Sequence, residues 1–291
     1  MRRSLTTKIV FFCCAVFFCS MSVFSYTNGY LPVGASRQMT DHHKGGFYFT
    51  QDNGILYMNN KTIYSSGYDY AIHFNGYKNC EVRGATKSYI RGEGGCNYGI
   101  VINGNGSDDY KNEVTNVEIS KMKFYGVFII NARKNKLNNL TIHHNKYHGI
   151  NIHEDALWQS KGNEIHGGNI SYNGMVGILN DASITLYDGN LRCHHNDYFG
   201  IMEWGSWNPQ IHATVQCYDN ENSGLYIDGT TYGTVTGSKF NSNDYYGVML
   251  TSSTKYVIFT NADGCCEFVG NGTARFLDQG QNNKIPGDGC N

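Results

Sequence analysis

The segment NKYHGINIHE at residues 145–154 is one copy of a pattern that recurs along the chain. In each copy a Gly, or once an Ala, opens a short run that alternates apolar residues with others. The opening residues follow one another at intervals of 23 to 28 residues and are Ala71, Gly99, Gly126, Gly149, Gly177, Gly200, Gly224 and Gly247. A repeat of this length is typical of a solenoid, in which every repeat forms one coil.

Each coil carries two further landmarks. An Asn stands four residues before the Gly in five copies, at Asn145, Asn173, Asn196, Asn220 and Asn243. Short runs such as residues 112–114 and 135–137 open the coils. We predict three short strands per coil and an Asn turn, because Asn tolerates a left-handed backbone and its amide can bond the Asn of the next coil.

The repeat resembles the right-handed parallel β-helix of the pectin-lyase-like superfamily, over about residues 66–262. The resemblance implies an all-β fold, a right-handed single-stranded parallel β-helix of about eight coils. Residues 26–65 lack the repeat and are predicted to cap the first coil, and the Cys-rich residues 263–291 to cap the last. Caps are expected because open ends of a solenoid would aggregate.

The composition excludes several other classes of protein. With 35 Gly and 3 Pro in 291 residues, 16% charged and 14% aromatic residues, the chain is neither disordered nor collagen-like. Residues 1–25 combine a basic start with an apolar run and predict a secretory signal peptide, and therefore a secreted, extracellular protein. A membrane anchor is the alternative for this segment, and no later segment is apolar enough to cross a membrane.

Seven cysteines remain after the predicted cleavage. Cys193 and Cys217 occupy the same inward position in adjacent coils, as buried thiols or as a disulfide. Cys80 could pair with Cys96, and Cys265, Cys266 and Cys290 could tie down the C-terminal cap. Their spacing does not suggest zinc. Five N-x-S/T sequons predict glycosylation and are Asn60, Asn105, Asn139, Asn169 and Asn271.

Alternation also predicts which side chains face solvent. Residues one and three after the Gly should point inward, and those two and four after it outward. Asn180 and Glu203 break the inward apolar rule in adjacent coils, and we expect hydrogen bonds to satisfy them. The outward column places His153 beside Asp181 and Trp204.

The segment around His153 is similar to the mannuronan C5-epimerase motif, a Tyr-Gly-hydrophobic start followed by Asp-Pro-His-Asp. His153 matches the motif histidine, and Glu154 replaces its last aspartate. Asn151 stands at the first aspartate and His148 at the tyrosine, while Ile152 replaces the proline. The resemblance implies proton-transfer chemistry at a uronate residue.

Such chemistry needs a base, an acid and a group that neutralises the sugar carboxylate. We predict His153, Asp181, Arg133 and His148 as catalytic residues. The residues predicted to bind substrate are Asn151, Lys134, Trp158, Trp204 and Glu154. Lyase and epimerase both remain open, and a hydrolase would need two carboxylates, which Asp155, Asp181 or Glu203 could supply.

The predicted partner is a polysaccharide, and an acidic one because residues 26–161 carry 15 basic and 11 acidic residues. Residues 162–291 carry 5 and 13. We predict no nucleic-acid partner, no membrane contact after signal cleavage, a monomer, no metal site and no cofactor, with a calcium ion at Asp155 and Asp181 as the alternative. Two histidine pairs, at residues 143–144 and 194–195, are expected to face solvent rather than to bind metal. The functional alternative is a non-catalytic carbohydrate-binding or surface protein.

Overall fold

A computed structural model describes residues 29–106, 108–155, 160–212, 214–260 and 266–285. The predicted signal peptide, Trp158, Cys265 and Cys290 lie outside the described residues. All regular secondary structure in the described part is β-strand. Within the same ranges no helix is long and apolar enough to cross a membrane.

The strands are short, mostly three to six residues long. In chain order they are β1 (Tyr30–Val33), β2 (Ser36–Gln38), β3 (His43–Lys44), β4 (Gly46–Phe49), β5 (Ile55–Tyr57), β6 (Thr62–Tyr64), β7 (Tyr70–His73), β8 (Glu81–Arg83), β9 (Tyr89–Arg91), β10 (Tyr98–Asn103), β11 (Glu113–Thr115), β12 (Glu118–Ser120), β13 (Tyr125–Ile130), β14 (Lys136–His143), β15 (Ile150–His153), β16 (Glu164–Ser171), β17 (Ile178–Asn180), β18 (Leu186–His194), β19 (Ile201–Trp204), β20 (Gln210–Ile211), β21 (Gln216–Tyr218), β22 (Leu225–Asp228), β23 (Thr234–Thr236), β24 (Lys239–Asn241), β25 (Tyr246–Leu250), β26 (Ile258–Thr260) and β27 (Ala274–Asp278).

These strands form two parallel sheets that wind around one interior. The front sheet has eleven strands, in the order β1-β4-β7-β10-β13-β15-β17-β19-β22-β25-β27, and contains every strand that the Gly opens. The rear sheet has sixteen strands in two ladders, which merge through the long strands β14, β16 and β18. The predicted parallel β-helix is confirmed, and most coils contribute three strand segments as expected.

Alternation places the apolar residues after each Gly in the core. Ile150 and Ile152 pair with Val127 and Ile129 of the preceding coil, and all four are fully buried. Burying such a column in every coil removes apolar surface from water at about 25 cal/mol per Å². The core is therefore one continuous stack along the helix.

The repeated Gly is required because adjacent coils approach closely there. A Cβ atom added to Gly149 would lie 2.4 Å from Ile170 Cγ2 and 2.6 Å from the carbonyl oxygen of Gly177. The backbone there has no φ in the left-handed region, so the requirement is one of space. Any side chain at this position would push two coils apart.

The Asn turns stack as predicted. The Asn145 amide donates to Asn173 Oδ1 at 2.9 Å, and the same bond recurs from Asn173 to Asn196 and from Asn196 to Asn220. A second buried ladder joins Asn135 to Asn163 at 3.0 Å. Each amide satisfies a polar group that would otherwise be buried without a partner.

One detail of the turn prediction was wrong. The left-handed residue is the one that precedes the Asn, as at His144, Tyr172 and His195, whose φ angles are 54°, 53° and 51°. The ladder Asn keeps an ordinary backbone, because its side chain must point inward to reach the next coil.

Both ends extend the two sheets. Within the segment predicted as the N-terminal cap, β1 and β4 pair in parallel and continue the front sheet, and β4 pairs with β7. Within the segment predicted as the C-terminal cap, β27 pairs with β25. The described parts of both segments therefore add coils to the solenoid.

The described cysteines are free and buried. Cys193 and Cys217 are register partners on β18 and β21, so the buried-thiol alternative holds and the disulfide alternative does not. The proposed Cys80–Cys96 bond was also wrong, because the Cys80 thiol contacts the Gln51 carbonyl and the Cys96 thiol the Tyr98 carbonyl.

Candidate functional site

The candidate site lies on the outer face of the front sheet, on strand β15. Because Ile150 and Ile152 point inward, Asn151 and His153 point outward, and His148 lies just before the strand. The sequence predicted this facing from alternation alone. We call these three side chains, His148, Asn151 and His153, the polar row, because they follow one another along the same stretch of chain.

His153 is held by Asp181 of the next coil. The two side chains approach to 2.6 Å between His153 Nδ1 and Asp181 Oδ2, and both are about one-fifth exposed. An ionised carboxylate only accepts hydrogen bonds, so His153 Nδ1 donates to it. In the neutral ring the proton-accepting nitrogen is then Nε2.

Electrostatics makes His153 a stronger base than an ordinary histidine. Burial by itself lowers the pKa of His153, but the hydrogen bond and charge of Asp181 raise it, and Asp155 and Glu154 add to the effect. The net pKa is above the usual value. The imidazolium form is therefore stabilised near neutral pH.

Glu154 provides the complementary acid. Burial, and then the negative charge of Asp181, raise the pKa of Glu154 to about 7. Its backbone N–H donates to Asp181 Oδ1 at 2.9 Å, so one aspartate orients both residues. The side-chain atom Oε2 is buried and has no hydrogen-bond partner among the described residues, while the backbone N–H groups of Ser160 and Ser183 lower the pKa of the carboxyl group. A carboxyl group with a pKa of about 7 is partly protonated near neutral pH and can donate a hydrogen bond to a substrate.

Asp155 and Ser160, on either side of residues 156–159, are hydrogen-bonded to the preceding coil. The Asn131 amide donates to Asp155 Oδ2 at 2.9 Å, and the Asp155 N–H donates to Asn131 Oδ1 at 3.2 Å. The Ser160 hydroxyl donates to the His153 carbonyl at 3.0 Å and accepts from the Ala132 N–H. Sequence reasoning missed Asn131 and Ser160, because neither occupies a repeated position.

The other two residues of the row are neutral. Burial lowers the pKa of His148 to about 3, and its Nδ1 accepts a hydrogen bond from the Val176 N–H at 3.3 Å. The Tyr125 ring stacks on it, with centroids 5.2 Å apart. Asn151 is 7% exposed, and its Oδ1 accepts no hydrogen bond from any residue that the structure describes. His148 is therefore neutral near neutral pH, with its ring proton on Nε2, and the imidazolium form is not populated.

The two predicted cations both form ion pairs with Asp109. Lys134 Nζ lies 2.6 Å from Asp109 Oδ2, and Arg133 lies 3.6 Å from Asp109 Oδ1. Both side chains are thus drawn toward the preceding coil. Asp109 follows a loop insertion of its own, so the repeat gave no signal for this pairing.

Apolar side chains border the polar row on both sides. Trp204 belongs to a second cluster on the outer face with Val176, Phe199, Met202 and Tyr226, separate from the main core. On the other side Tyr125 and Phe128 pack edge to face at 5.4 Å. Surfaces of this kind can stack against the apolar faces of sugar rings.

Within the described ranges, no three His, Cys, Asp or Glu side chains converge as a metal site. Asp155 accepts a hydrogen bond from the Asn131 amide, and Asp181 accepts hydrogen bonds from His153 and from the Glu154 N–H. The calcium alternative at Asp155 and Asp181 thus has no supporting cluster.

Asn180 and Glu203 lie beneath the site, inside the helix. The Asn180 amide donates to Glu203 Oε2 at 2.7 Å, and the Tyr187 hydroxyl donates to Glu203 Oε1. Burial raises the pKa of Glu203 to about 7, with the Asp181 charge contributing in the same direction. The expected hydrogen bonding of these two residues is confirmed, and it holds Glu203 away from any hydrolytic role on the outer face.

Comparison with known proteins places this geometry in context. The family described as the right-handed beta helix region matches residues 98–264. A sequence search among curated proteins gives no significant match.

Several solved structures are similar in fold. Tailspike protein 2 from Escherichia coli O157:H7 bacteriophage CAB120 superposes with a TM-score of 0.65 at 13% identity, over 85% of this chain. This chain spans 38% of that tailspike's length. The mannuronan C-5 epimerase AlgE4 A-module of Azotobacter vinelandii gives a TM-score of 0.51 at 13% identity, covering 89% of each chain. The periplasmic alginate epimerase AlgG gives 0.53 at 13% identity, over 90% of this chain and 80% of its own. At such identities the likeness shows the fold alone.

Proposed function

Because this chain belongs to the right-handed β-helix family, we propose that it is a carbohydrate-active enzyme, a lyase or C5-epimerase that moves a proton at a uronate residue of a polysaccharide. Two of the proteins with similar folds are epimerases of alginate or mannuronan, which supports this substrate class. The family alone does not fix an activity, so the argument depends on the site.

One observation carries the proposal, the contact of 2.6 Å between His153 and Asp181 on the outer face. The pair provides a base whose tautomer and orientation are set by a carboxylate. Glu154, with its pKa raised to about 7, stands beside the same aspartate and provides an acid. A base and an acid on one strand end are what stereochemical inversion or elimination requires.

In the proposed reaction His153 Nε2 removes the proton from the carbon that bears the sugar carboxylate. Negative charge then develops on that carboxylate as an enolate-like anion. Protonated Glu154 is the group placed to hydrogen-bond it and then to return a proton, because its carboxyl group can donate and its Oε2 has no hydrogen-bond partner among the described residues. Arg133 and Lys134 are not needed for this role.

The two reactions differ in the fate of the anion. In an epimerase Glu154 gives its proton to the same carbon from the opposite face, which restores a sugar of inverted configuration. In a lyase the bond to the leaving sugar oxygen breaks, the Glu154 proton goes to that oxygen and a double bond forms. Exchange with solvent then returns His153 and Glu154 to their starting forms. Both reactions balance without an added oxidant or reductant.

We further propose an extracellular location and an acidic polymer as substrate. The apolar N-terminal run supports export, and the basic excess of residues 26–161 supports an anionic chain. The apolar side chains that flank the polar row supply the stacking surface for sugar rings.

The test is turnover of alginate, polymannuronate and pectate, with and without calcium. Ultraviolet absorbance reports the unsaturated lyase product, and proton NMR reports inverted residues. We expect His153→Ala to lose about 10²- to 10⁴-fold in rate, the usual contribution of a general base. His212→Ala, on the rear sheet, is the matched control and should keep the activity. Equal rates for both variants would contradict the proposal.

A second candidate is a non-catalytic carbohydrate-binding rod. It is favoured by an exposed aromatic row, in which Tyr232 stacks on Tyr256 at 5.1 Å and Trp207 packs edge-on to Tyr232 at 6.5 Å. This candidate predicts retention on a polysaccharide gel that Trp207→Ala weakens, without turnover of any substrate.

A further inference from the structure

Two histidine pairs occupy the same place in two coils of the rear sheet. His143-His144 precedes Asn145, and His194-His195 precedes Asn196. In the first pair the two Nδ1 atoms lie 2.7 Å apart, and in the second pair 2.8 Å apart. The sequence favoured solvent-facing decoration for these pairs, but it could not show that the ring nitrogens converge.

The turn itself produces this convergence. The second histidine of each pair, His144 or His195, has a left-handed backbone conformation, with φ angles of 54° and 51°. That backbone brings the second ring back toward the first, instead of to the opposite face as along a strand. The Asn ladder fixes the turn in both coils, so the same arrangement arises twice.

The ring planes are fixed by stacked aromatic neighbours. Tyr172 lies between the two pairs, with its centroid 5.2 Å from that of His144 and 4.8 Å from that of His195. Tyr218 stacks on His194 at 4.7 Å with planes 8° apart. The nitrogen atoms are therefore held in place before any ligand arrives.

In the first pair a carboxylate sets the tautomer. His143 Nε2 lies 3.3 Å from Glu118 Oε1, and the carboxylate can only accept. The neutral His143 ring therefore carries its proton on Nε2 and presents the lone pair of Nδ1 toward His144. A carboxylate on the outer nitrogen is the usual companion of a histidine that binds metal.

The charge state also suits a ligand. Burial lowers the pKa of His144, and the neighbouring His143 and Lys121 lower it further. Burial, His195 and Arg192 lower the pKa of His194, against an opposing effect of Asp219. A lowered pKa favours the neutral ring, which is the form that binds metal ions.

We propose that each histidine pair chelates one divalent late transition-metal ion through its two Nδ1 atoms, with copper(II) preferred. Metal–imidazole bonds of about 2.0–2.1 Å at a right angle place two nitrogen atoms about 2.9 Å apart. The observed separations of 2.7 and 2.8 Å are close to this value. Right-angled nitrogen donors are typical of tetragonal copper(II) or nickel(II), and copper(II) has the highest affinity in that series.

Each site has two protein donors, and water completes the coordination. The absence of a convergent group of three in the described ranges agrees with such open, two-donor sites. When the ion binds, the proton between the two Nδ1 atoms moves through solvent to Nε2 of the second histidine, so both rings stay neutral and each Nδ1 lone pair is free for the ion. The sites are separate from the His153 row, because they lie on the rear sheet and His153 lies on the front sheet.

The test is titration of the full chain, without a polyhistidine tag, with copper(II). Calorimetry gives the number of ions bound, and electron paramagnetic resonance gives the number of coordinated nitrogens. We expect the wild type to bind two more copper ions than the double variant His144→Asn/His195→Asn. Each single variant should bind one ion fewer than the wild type. Asn tolerates the left-handed backbone, so the turn is preserved. Circular dichroism and the melting temperature check the fold of every variant.

The control is His212→Ala, which should bind as many copper ions as the wild type. Two-nitrogen hyperfine structure that disappears in the double variant supports the proposal. Unchanged stoichiometry in a folded double variant would overturn it, as would a spectrum without paired nitrogens. A folded double variant that has lost polysaccharide turnover would also contradict the separation of these sites from the proposed active site.

Discussion

Asp181 links two residues whose protonation the proposed reaction needs. It accepts from His153 Nδ1 through one oxygen and from the Glu154 N–H through the other. Burial is the largest influence on each neighbour, and it lowers the pKa of His153 and raises that of Glu154. The charge of Asp181 raises both pKa values. One carboxylate therefore sets both the base and the acid.

A pH profile should reveal this dependence. In the wild type, kcat/KM should rise as His153 loses its proton and fall as Glu154 loses its proton. Asp181→Asn removes the charge that raises both pKa values, so both limbs should move to lower pH as the maximum rate drops. Profiles measured from acidic to alkaline buffers check the shift. Limbs that keep their positions in Asp181→Asn would rule out the assigned roles.

Glu203 should make stability depend on pH. Its pKa is about 7 in the folded protein and about 4.3 in an unfolded chain, so folding favours the protonated form. The stabilisation is complete below about pH 4.3 and is lost as the pH rises through about 7, and it amounts to at most about 4 kcal/mol.

Denaturant unfolding at several pH values checks this prediction. Glu203→Gln should lose that part of the pH dependence and vary less between pH 5 and pH 8. The exposed Glu221→Gln is the matched control and should follow the wild type. A Glu203→Gln curve parallel to the wild type across this range would contradict the assignment.

At the scale of single residues, the sequence predicts on which face of the sheet each side chain lies, but it does not predict which ion pairs form. Alternation was enough to place His153 beside Asp181, since each strand position determines its neighbour in the next coil. Arg133 was predicted as a catalytic residue and Lys134 as a substrate-binding one, and both pair with Asp109, which lies in an insertion outside the repeated positions. Long charged side chains reach partners that strand register cannot specify.

At the scale of elements, the Gly strands and Asn turns depend on one another. The Gly leaves room for the Asn side chain of the next coil, since a Cβ on Gly177 would lie 2.9 Å from Asn196 Nδ2. The Asn then satisfies the N–H and the amide of its neighbour. The repeated Gly is therefore needed to make room for the Asn side chain, and the repeated Asn is needed to satisfy the polar groups of the neighbouring turn.

Removing one Asn from the middle of the ladder should destabilise the protein. Asn196→Ala deletes the acceptor of the Asn173 N–H and amide and the donor to Asn220. The expected loss is about 3 kcal/mol, because buried groups lose their partners. Thermal and denaturant unfolding measure it. Asn222→Ala, half-buried outside the ladder, should cost far less, and equal losses would argue against the ladder.

The sequence predicted the central strands and missed those at the ends. Gly46-Phe47-Tyr48-Phe49 follows the same Gly-apolar pattern, with aromatic residues where Ile is usual, and it forms β4. In β27 Arg275 stands beside Gly247 of the preceding coil, and the ladder residue Asn271 four positions earlier was the remaining signal. Terminal coils depart from the repeat because only one side contacts another coil.

At the scale of the whole molecule, contacts run between neighbouring coils. Front-sheet strands pair only with the coil before and the coil after, from β1 to β27. Stability in such a solenoid is a sum over coils and their interfaces. The end coils have one interface each and the middle coils two.

Hydrogen exchange should therefore be graded along the helix. Amides in β13, β15 and β17 should exchange slowest, and those in β1 and β27 fastest, because the ends can open without the middle. Exchange resolved by mass spectrometry checks this order. Uniform protection from end to end would instead indicate a single cooperative unit.

The variable loop after each front strand has an evolutionary consequence. The coils that begin at Gly99 and Gly149 gain their extra residues there, after Asn103 and after His153, while the Gly strand and Asn turn keep their spacing. Insertions at this edge leave the ladder and core undisturbed, and they lie next to the His153–Asp181 pair. The scaffold can therefore acquire a new specificity by exchanging one loop, which makes this edge the place for loop grafting and for divergence between lineages.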